Sequence, residues 1–294
     1  MKQTVKQSGF TLAEIAIVLA VIGIAMTMGL KMLTATLENG AISETQAKQE
    51  RIKLALVSYL RTNGRLPCPD TATPATGNEL TPCIASVALG YGVPPWLTLQ
   101  LSRDAVLDGW GNFFSYRVAN TQPAAVLRNW TSRTVGTPFD INELTTPNVA
   151  LIIQERTAPA AALTQITDRA VFVILSHGKN GLGALTTRGA DRVPPPTVAV
   201  ALDENTNGTA VGRTFVRRAF NERPQDAIPA VPPPVNPGGP FDDLVAYMTG
   251  QELLRSLTAE KTLYGCQHYC ATVATGCTAT NVPVGNTNTN PICD

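Results

Sequence analysis

Residues 10–30 read FTLAEIAIVLAVIGIAMTMGL, a run of 21 in which Glu14 is the only charge. A bilayer core of about 30 Å takes roughly 20 helical residues at about 1.5 Å each, so the run is long enough to span. No proline precedes Pro67 to break a helix there. Lys2 and Lys6 lie ahead of the run with no acid to offset them, which holds Met1 on the cytoplasmic side and sends everything after Leu33 across the membrane. A secretory signal peptide would be shorter and would end in a small-residue cleavage site, whereas here the small residue, Gly9, comes first. Glu14 calls for a partner, because a carboxylate facing lipid costs about 2.5–3.5 kcal/mol on insertion scales.

Beyond Lys31 the pattern turns amphipathic. Ile52, Leu56, Tyr59 and Leu60 share one face, interspersed with Glu44, Lys48, Arg51 and Lys53. Asn63-Gly64 is the expected stop, since both residue types tolerate the left-handed conformation that closes a helix. A helix over residues 10–62 would be roughly 80 Å long, with Gly23, Gly29 and Gly40 as its weak points. From Arg65 the chain breaks into short β-branched or aromatic runs between Pro, Gly, Asn and Thr-rich turns. Strands are expected at 113–118, 149–153, 171–175, 197–201 and 214–218. Thr249 and Glu252 form a T-x-x-E capping box ahead of Leu253, Leu254 and Leu257, which predicts a second, short helix. Residues 227–240 are proline-rich and read as an exposed spacer. No internal repeat and no second membrane-length run follows.

Composition bounds the function. Of 294 residues, 44% are hydrophobic and 15% charged, too apolar for a disordered chain. The 23 basic residues against 22 acidic give a net charge of +1, so any attraction to nucleic acid or an acidic membrane has to be local. The tight basic cluster Arg213, Arg217 and Arg218 is the place to look, and it also reads as the solvent face of a strand.

Ser8-Gly9-Phe10-Thr11-Leu12-Ala13-Glu14 followed by the apolar run resembles the N-terminus of type IV pilins and type II secretion pseudopilins. The resemblance implies a leader of residues 1–9, cut between Gly9 and Phe10 by a membrane-embedded prepilin peptidase that methylates the new amine. It also implies a spine helix retained in the product, and a Glu14 that neutralises the Phe10 amine of a neighbouring subunit. Two charges that are each expensive in lipid become tolerable as a pair. Many pilins carry a proline in the membrane half of this helix; this sequence does not. Leu66-Pro67-Cys68-Pro69, Gly92-Val93-Pro94-Pro95-Trp96 and Asp108-Gly109-Trp110-Gly111-Asn112 before Tyr116 are similar to the succession after the spine in major pseudopilins and larger minor pilins. The Trp-Gly-Asn turn is equally plain hairpin chemistry. Val173 to Gly181, with Ser176-His177-Gly178-Lys179-Asn180-Gly181 at its end, resembles the strand-to-loop segment that helps bind calcium in major pseudopilins.

Calcium takes six to eight oxygen ligands, and Asn180, Asp191, Asp203 and Glu204 are the oxygen donors in or after that loop. A solvated loop is the plainer alternative. Ser176-His177 does not read as a nucleophile and base, since strand neighbours point to opposite faces and no G-x-S-x-G elbow surrounds the serine. Gly178-Lys179-Asn180 lacks the spacing and the Ser or Thr of a phosphate-binding loop. With His177 and His268 the only histidines, no catalytic triad or histidine-rich metal site is expected, and no enzyme activity.

All six cysteines, Cys68, Cys83, Cys266, Cys270, Cys277 and Cys293, follow the apolar run. Outside the cytoplasm they favour disulfides over a zinc site built on Cys266, His268 and Cys270. Proximity suggests Cys68 with Cys83 and leaves the other four to pair among themselves, with Cys293 tying down the Thr- and Asn-rich residues 278–290. Such a disulfide-held C-terminal region resembles that of pilins.

The expectation is an α+β chain: leader 1–9, transmembrane half-helix 10–33, amphipathic half-helix 34–64, and an extracytoplasmic head 65–294 of mainly antiparallel β structure. The resemblance implies a filament subunit, a minor or tip pilin given the large head, or else a type II secretion pseudopilin. Its implied partners are like subunits, the prepilin peptidase and the inner-membrane assembly platform. It would sit in the inner membrane as a single-pass protein before joining a periplasmic or surface filament. The alternatives are an enzyme or receptor on a signal anchor and, requiring a basic patch, a DNA-uptake pilin.

Overall fold

The computed structural model describes residues 12–63, 65–80, 91–119, 151–157, 162–187, 192–197, 202–209, 212–220 and 240–258. Two compact units divide the chain, residues 1–43 and 44–294, and helix α1 (Leu12–Asn63) contributes to both. It is the expected spine helix, with Asn63 as its last residue. The Asn63 side-chain amide donates back to the Tyr59 carbonyl at 3.0 Å, engaging one of the carbonyls left open at a helix C-terminus.

In the first unit every described side chain from Leu12 to Ile24 is exposed, with Leu12, Ile17, Leu19, Val21 and Met26 between 61% and 90% accessible. A helix apolar all round finds its low-energy place among lipid or among other helices. Among the described residues no helix is long and apolar enough to cross a membrane. The side chains of Ala25 and residues 27–31, which belong to the expected span, lie outside that description.

In the second unit the same helix becomes one wall of a core. Thr45, Gln49, Ile52, Leu56 and Leu60 are buried at three- and four-residue spacings, one stripe of the helix. The two polar members are hydrogen-bonded. Thr45 Oγ1 accepts the Gly109 amide hydrogen at 2.9 Å, and Gln49 Nε2 donates to the carbonyls of Ile174 and Leu244 at 3.2 and 2.8 Å. Tyr59, expected on the buried face, is half-buried and donates to Glu79 at 3.0 Å.

The strands are β1 (Tyr91–Gly92), β2 (Asn112–Phe113), β3 (Ser115–Val118), β4 (Leu151–Arg156), β5 (Thr164–Ser176), β6 (Leu185–Thr186), β7 (Thr214–Arg218) and β8 (Leu244–Thr249). The main sheet runs β1-β3-β5-β4-β7 with β8 also on β5, and β2 pairs β6 separately. Val171 to Ser176 of β5 are all buried, as expected of a central strand covered on both faces. All pairings are antiparallel except β4 with β7. The short helix α2 (Leu202–Gly208) lies between those two parallel strands in sequence and packs on β7. Its Asn207 side chain accepts from the Val216 amide at 2.7 Å and donates to the Val216 carbonyl at 2.9 Å, so an amide side chain satisfies part of the β7 edge. Helix α3 (Gly250–Thr258) begins with the expected capping box. Glu252 accepts from the Thr249 amide at 2.8 Å, and the Glu252 amide reaches back to the Thr249 hydroxyl at 3.3 Å.

Several expected strands shift. The run 113–118 splits into β2 and β3 because the Phe114 amide turns to the Val106 carbonyl, and the Phe114 ring is fully buried. Strand β5 begins at Thr164, seven residues before the expected 171, its polar first half paired with β4. Of 149–153 only Leu151 onward is described, and the strand continues to Arg156. Thr197 is not in a strand and residues 198–201 lie outside the described residues. Strand 214–218 stands as expected.

Leu56 is fully buried and Leu54, two residues earlier, is 71% exposed. Leu56→Ala is expected to destabilise the head by about 2–5 kcal/mol, and Leu54→Ala to stay within about 0.5 kcal/mol of the parent. Denaturant unfolding of the two variants checks this, and equal losses would mean the helix face is misassigned.

Candidate functional site

The assembly residues come first. Gly9 and Phe10 lie outside the described residues. Glu14 is in the first turn of α1, where the N-terminal amide groups favour a negative charge.

In the head, two loops meet on one carboxylate. Asp108 Oδ1 accepts the amide hydrogens of Trp110 and Asn112 at 3.0 and 2.9 Å. Its Oδ2 accepts the Ser176 hydroxyl at 2.8 Å. Asp108-Gly109-Trp110-Gly111-Asn112 therefore turns around its own aspartate and is tied to the end of β5. Beyond Ser176, Gly178 has φ +59°, and a Cβ there would overlap the backbone and carboxyl of Asp242. Only glycine lets the loop approach so closely.

That approach builds an acidic cluster. The Asn180 amide donates to Asp242 Oδ2 at 2.7 Å, its side-chain amide donates to Glu204 Oε1 and Oε2 at 3.1 and 3.2 Å, and the Asp242 amide donates to Glu204 Oε1 at 3.1 Å. Asp243 accepts from Asn207 at 2.8 Å. Burial, and then the Asp242 carboxylate beside it, push Glu204 up to about 8. Burial raises Asp242 and Asp243 as well. Asp242 Oδ1 is buried without a hydrogen-bond partner.

The four expected calcium donors are not brought together. Asn180 and Glu204 meet, but Asp203 is held by Arg156 at 2.8 Å and Arg218 at 3.1 Å, and Asp191 lies outside the described residues. Two buried guanidiniums neutralise Asp203 where a cation was expected to do so. Asn180 turns its N–H group, not its oxygen, toward Glu204; the oxygen accepts from the Leu182 amide at 2.8 Å. Among the described residues no group of three or more His, Cys, Asp or Glu is arranged to hold a metal ion. Asp242 and Asp243 were not among the expected residues. The visible signal was two adjacent acids inside the apolar frame Phe241-Asp242-Asp243-Leu244.

Ser115, His177 and Asp243 fall in the order of a hydrolytic triad without its geometry. Ser115 Oγ is 2.9 Å from His177 Nε2, but Asp243 Oδ1 is 3.9 Å from Nδ1. The serine oxygen also accepts from Arg192 at 3.0 Å. Serine and histidine are both buried, and burial, then the Arg192 charge, lower His177 to about 3. A nucleophile sealed from solvent has no access to substrate; the Ser115–His177 contact ties β3 to the loop after β5.

Cys68 is disulfide-bonded; Cys83, Cys266, Cys270, Cys277 and Cys293 lie outside the described residues. Of the basic cluster, Arg218 is paired with Asp203, and Arg213 and Arg217 are exposed.

Residues 5–30 match the family described as the prokaryotic N-terminal methylation motif, the signature of the prepilin-type segment of type IV pilins and pseudopilins. No curated protein and no solved structure matches the chain.

The acidic cluster makes stability depend on pH. Folded Glu204 holds its proton up to about 8 against an ordinary 4.5, so its contribution is complete below 4.5 and is lost as pH rises through 8. His177 is lowered from 6.5, so its loss comes only on acidification. With a chelator present, the melting temperature is expected to fall as pH rises from 6.5 through 8, and less steeply in Glu204→Gln. Identical slopes in parent and variant would remove Glu204 as the cause.

Proposed function

We propose that the chain is a structural subunit of a type IV pilus-like filament, made as a precursor, cut between Gly9 and Phe10, and assembled through α1. The observation that carries this is the methylation motif at residues 5–30, within which α1 begins, its described side chains from Leu12 to Ile24 all exposed and, apart from Glu14, apolar. That surface suits the inner membrane before assembly and neighbouring helices afterwards. Glu14 would meet the Phe10 amine of the next subunit, pairing two charges in an apolar surrounding. The large head after residue 65 favours a minor or tip subunit, with adhesion or assembly priming as its task. The second reading, a type II secretion pseudopilin, is supported by the resemblance of residues 173–181 to the strand-to-loop segment of major pseudopilins.

Shearing native cells and mapping N-terminal peptides by mass spectrometry in sheared and envelope fractions tests both readings. N-methylated Phe10 in the sheared fraction is the expected result; the same peptide confined to the envelope favours the pseudopilin. A chain still starting at Met1 in both fractions would sink both readings and revive the anchored receptor or enzyme. Glu14→Ala is expected to leave cleavage intact and remove the chain from sheared filaments.

For calcium, of the expected Asn180, Asp191, Asp203 and Glu204 we keep Glu204 and add Asp242, whose Oδ1 is buried without a hydrogen-bond partner. Adding calcium above pH 8 is expected to raise the melting temperature and flatten its pH dependence. No response would leave a shared proton, not a cation, holding the two carboxyls together.

A further inference from the structure

A cleft of about 670 Å³ lies in the second unit, bounded by α1 at Gln46 to Lys53, by β7 at Arg217 and Arg218, and by β8 from Leu244 to Tyr247. The volume is in the range of small-molecule sites, about 300–1,000 Å³. Most of its charged lining is already engaged. Lys53 pairs with Glu50 at 2.8 Å, and Arg218 with Asp203 at 3.1 Å. Glu252 accepts from the Thr249 amide and hydroxyl, Asp243 from Asn207, and Gln49 donates to two backbone carbonyls.

Three lining residues, Gln46, Tyr247 and Arg217, have side chains that make no hydrogen bond or ion pair among the described residues. Arg217 is exposed, and although Glu155 sits opposite it in the β4–β7 ladder, no ion pair engages it among the described residues. A guanidinium fork on a cleft wall matches a carboxylate through two parallel hydrogen bonds. One uncommitted cation is a poor footprint for a polyanion, which needs several. The remaining groups, an amide and a phenol, exchange hydrogen bonds with hydroxyls, and the Tyr247 ring is half-buried against the core. We propose that this cleft binds a saccharide bearing a carboxylate, with the carboxylate on Arg217 and ring hydroxyls on Gln46 and Tyr247. The proposal rests on the lining alone and holds whether the chain serves a pilus or a secretion system.

The test is direct binding to the full chain in detergent micelles. The probes are oligosaccharides containing glucuronate, galacturonate, muramic acid or sialic acid, each with a neutral counterpart, alongside an oligoglutamate peptide and a short single-stranded DNA. At least one acidic saccharide is expected to bind about tenfold or more tighter than its neutral counterpart, with that margin lost in Arg217→Gln. Tyr247→Phe is expected to weaken binding, and Arg213→Gln, outside the lining, to leave it unchanged. Circular dichroism confirms that each variant is folded. Silence of every acidic saccharide, or binding indifferent to Arg217→Gln, overturns the proposal. Binding of the peptide or the DNA with the saccharides silent overturns it too, and assigns the cleft to a protein or nucleic-acid partner.

Discussion

The packing of α1 against the sheet depends on a polar contact inside an apolar stripe. Gln49 presents its amide to the carbonyls of Ile174 in β5 and Leu244 in β8, at the place where α1 crosses the buried end of the sheet. An isolated Leu or Ile at that position would pack but would not select a register. A buried amide that must find acceptors does select, because leaving it unbonded costs about 1–3 kcal/mol. Thr45 performs the same service toward Gly109 one turn earlier. The two contacts fix which turns of α1 face the β5–β8 pair and the turn at Gly109, and Ile52, Leu56 and Leu60 are buried further along the same stripe.

How much of this could be read from the chain differs by element. The spine helix was legible because its apolar run and its amphipathic stripe each repeat for many turns without proline. The capping box at Thr249 and Glu252 was legible because both hydrogen bonds are local. Strand β5 was half legible: its apolar core stands out, but the polar residues 164–170 gain strand geometry only from pairing with β4. Helix α2, seven residues reading LDENTNG, was invisible to pattern. It has no apolar face, and its Asp203, Glu204 and Asn207 are held by arginines, by the Asp242 backbone and by the edge of β7, all distant in sequence.

The candidate site divides along the same line. Gly9, Phe10 and Glu14 are read from a contiguous motif. The acidic cluster joins residues 180, 204 and 242, so spacing gave no measure of which acids converge. Counting nearby oxygen donors placed Asp203 with Glu204. The fold separates these neighbours, sending one carboxylate to Arg156 and Arg218 and the other to Asn180 and Asp242. Adjacent residues on a helix turn point about 100° apart, which is enough to assign one to a salt bridge and the next to a carboxyl pair.

The Asn207 amide on Val216 carries a consequence for crowding. An outermost strand offers a ladder of open donors and acceptors that another copy can zip onto. Here a side chain mimics the missing neighbour, bonding both the N–H and the C=O of one residue at the middle of β7. A second sheet arriving at that edge would have to evict a bond already made. Wherever copies crowd together, this pair of bonds opposes sheet fusion along β7.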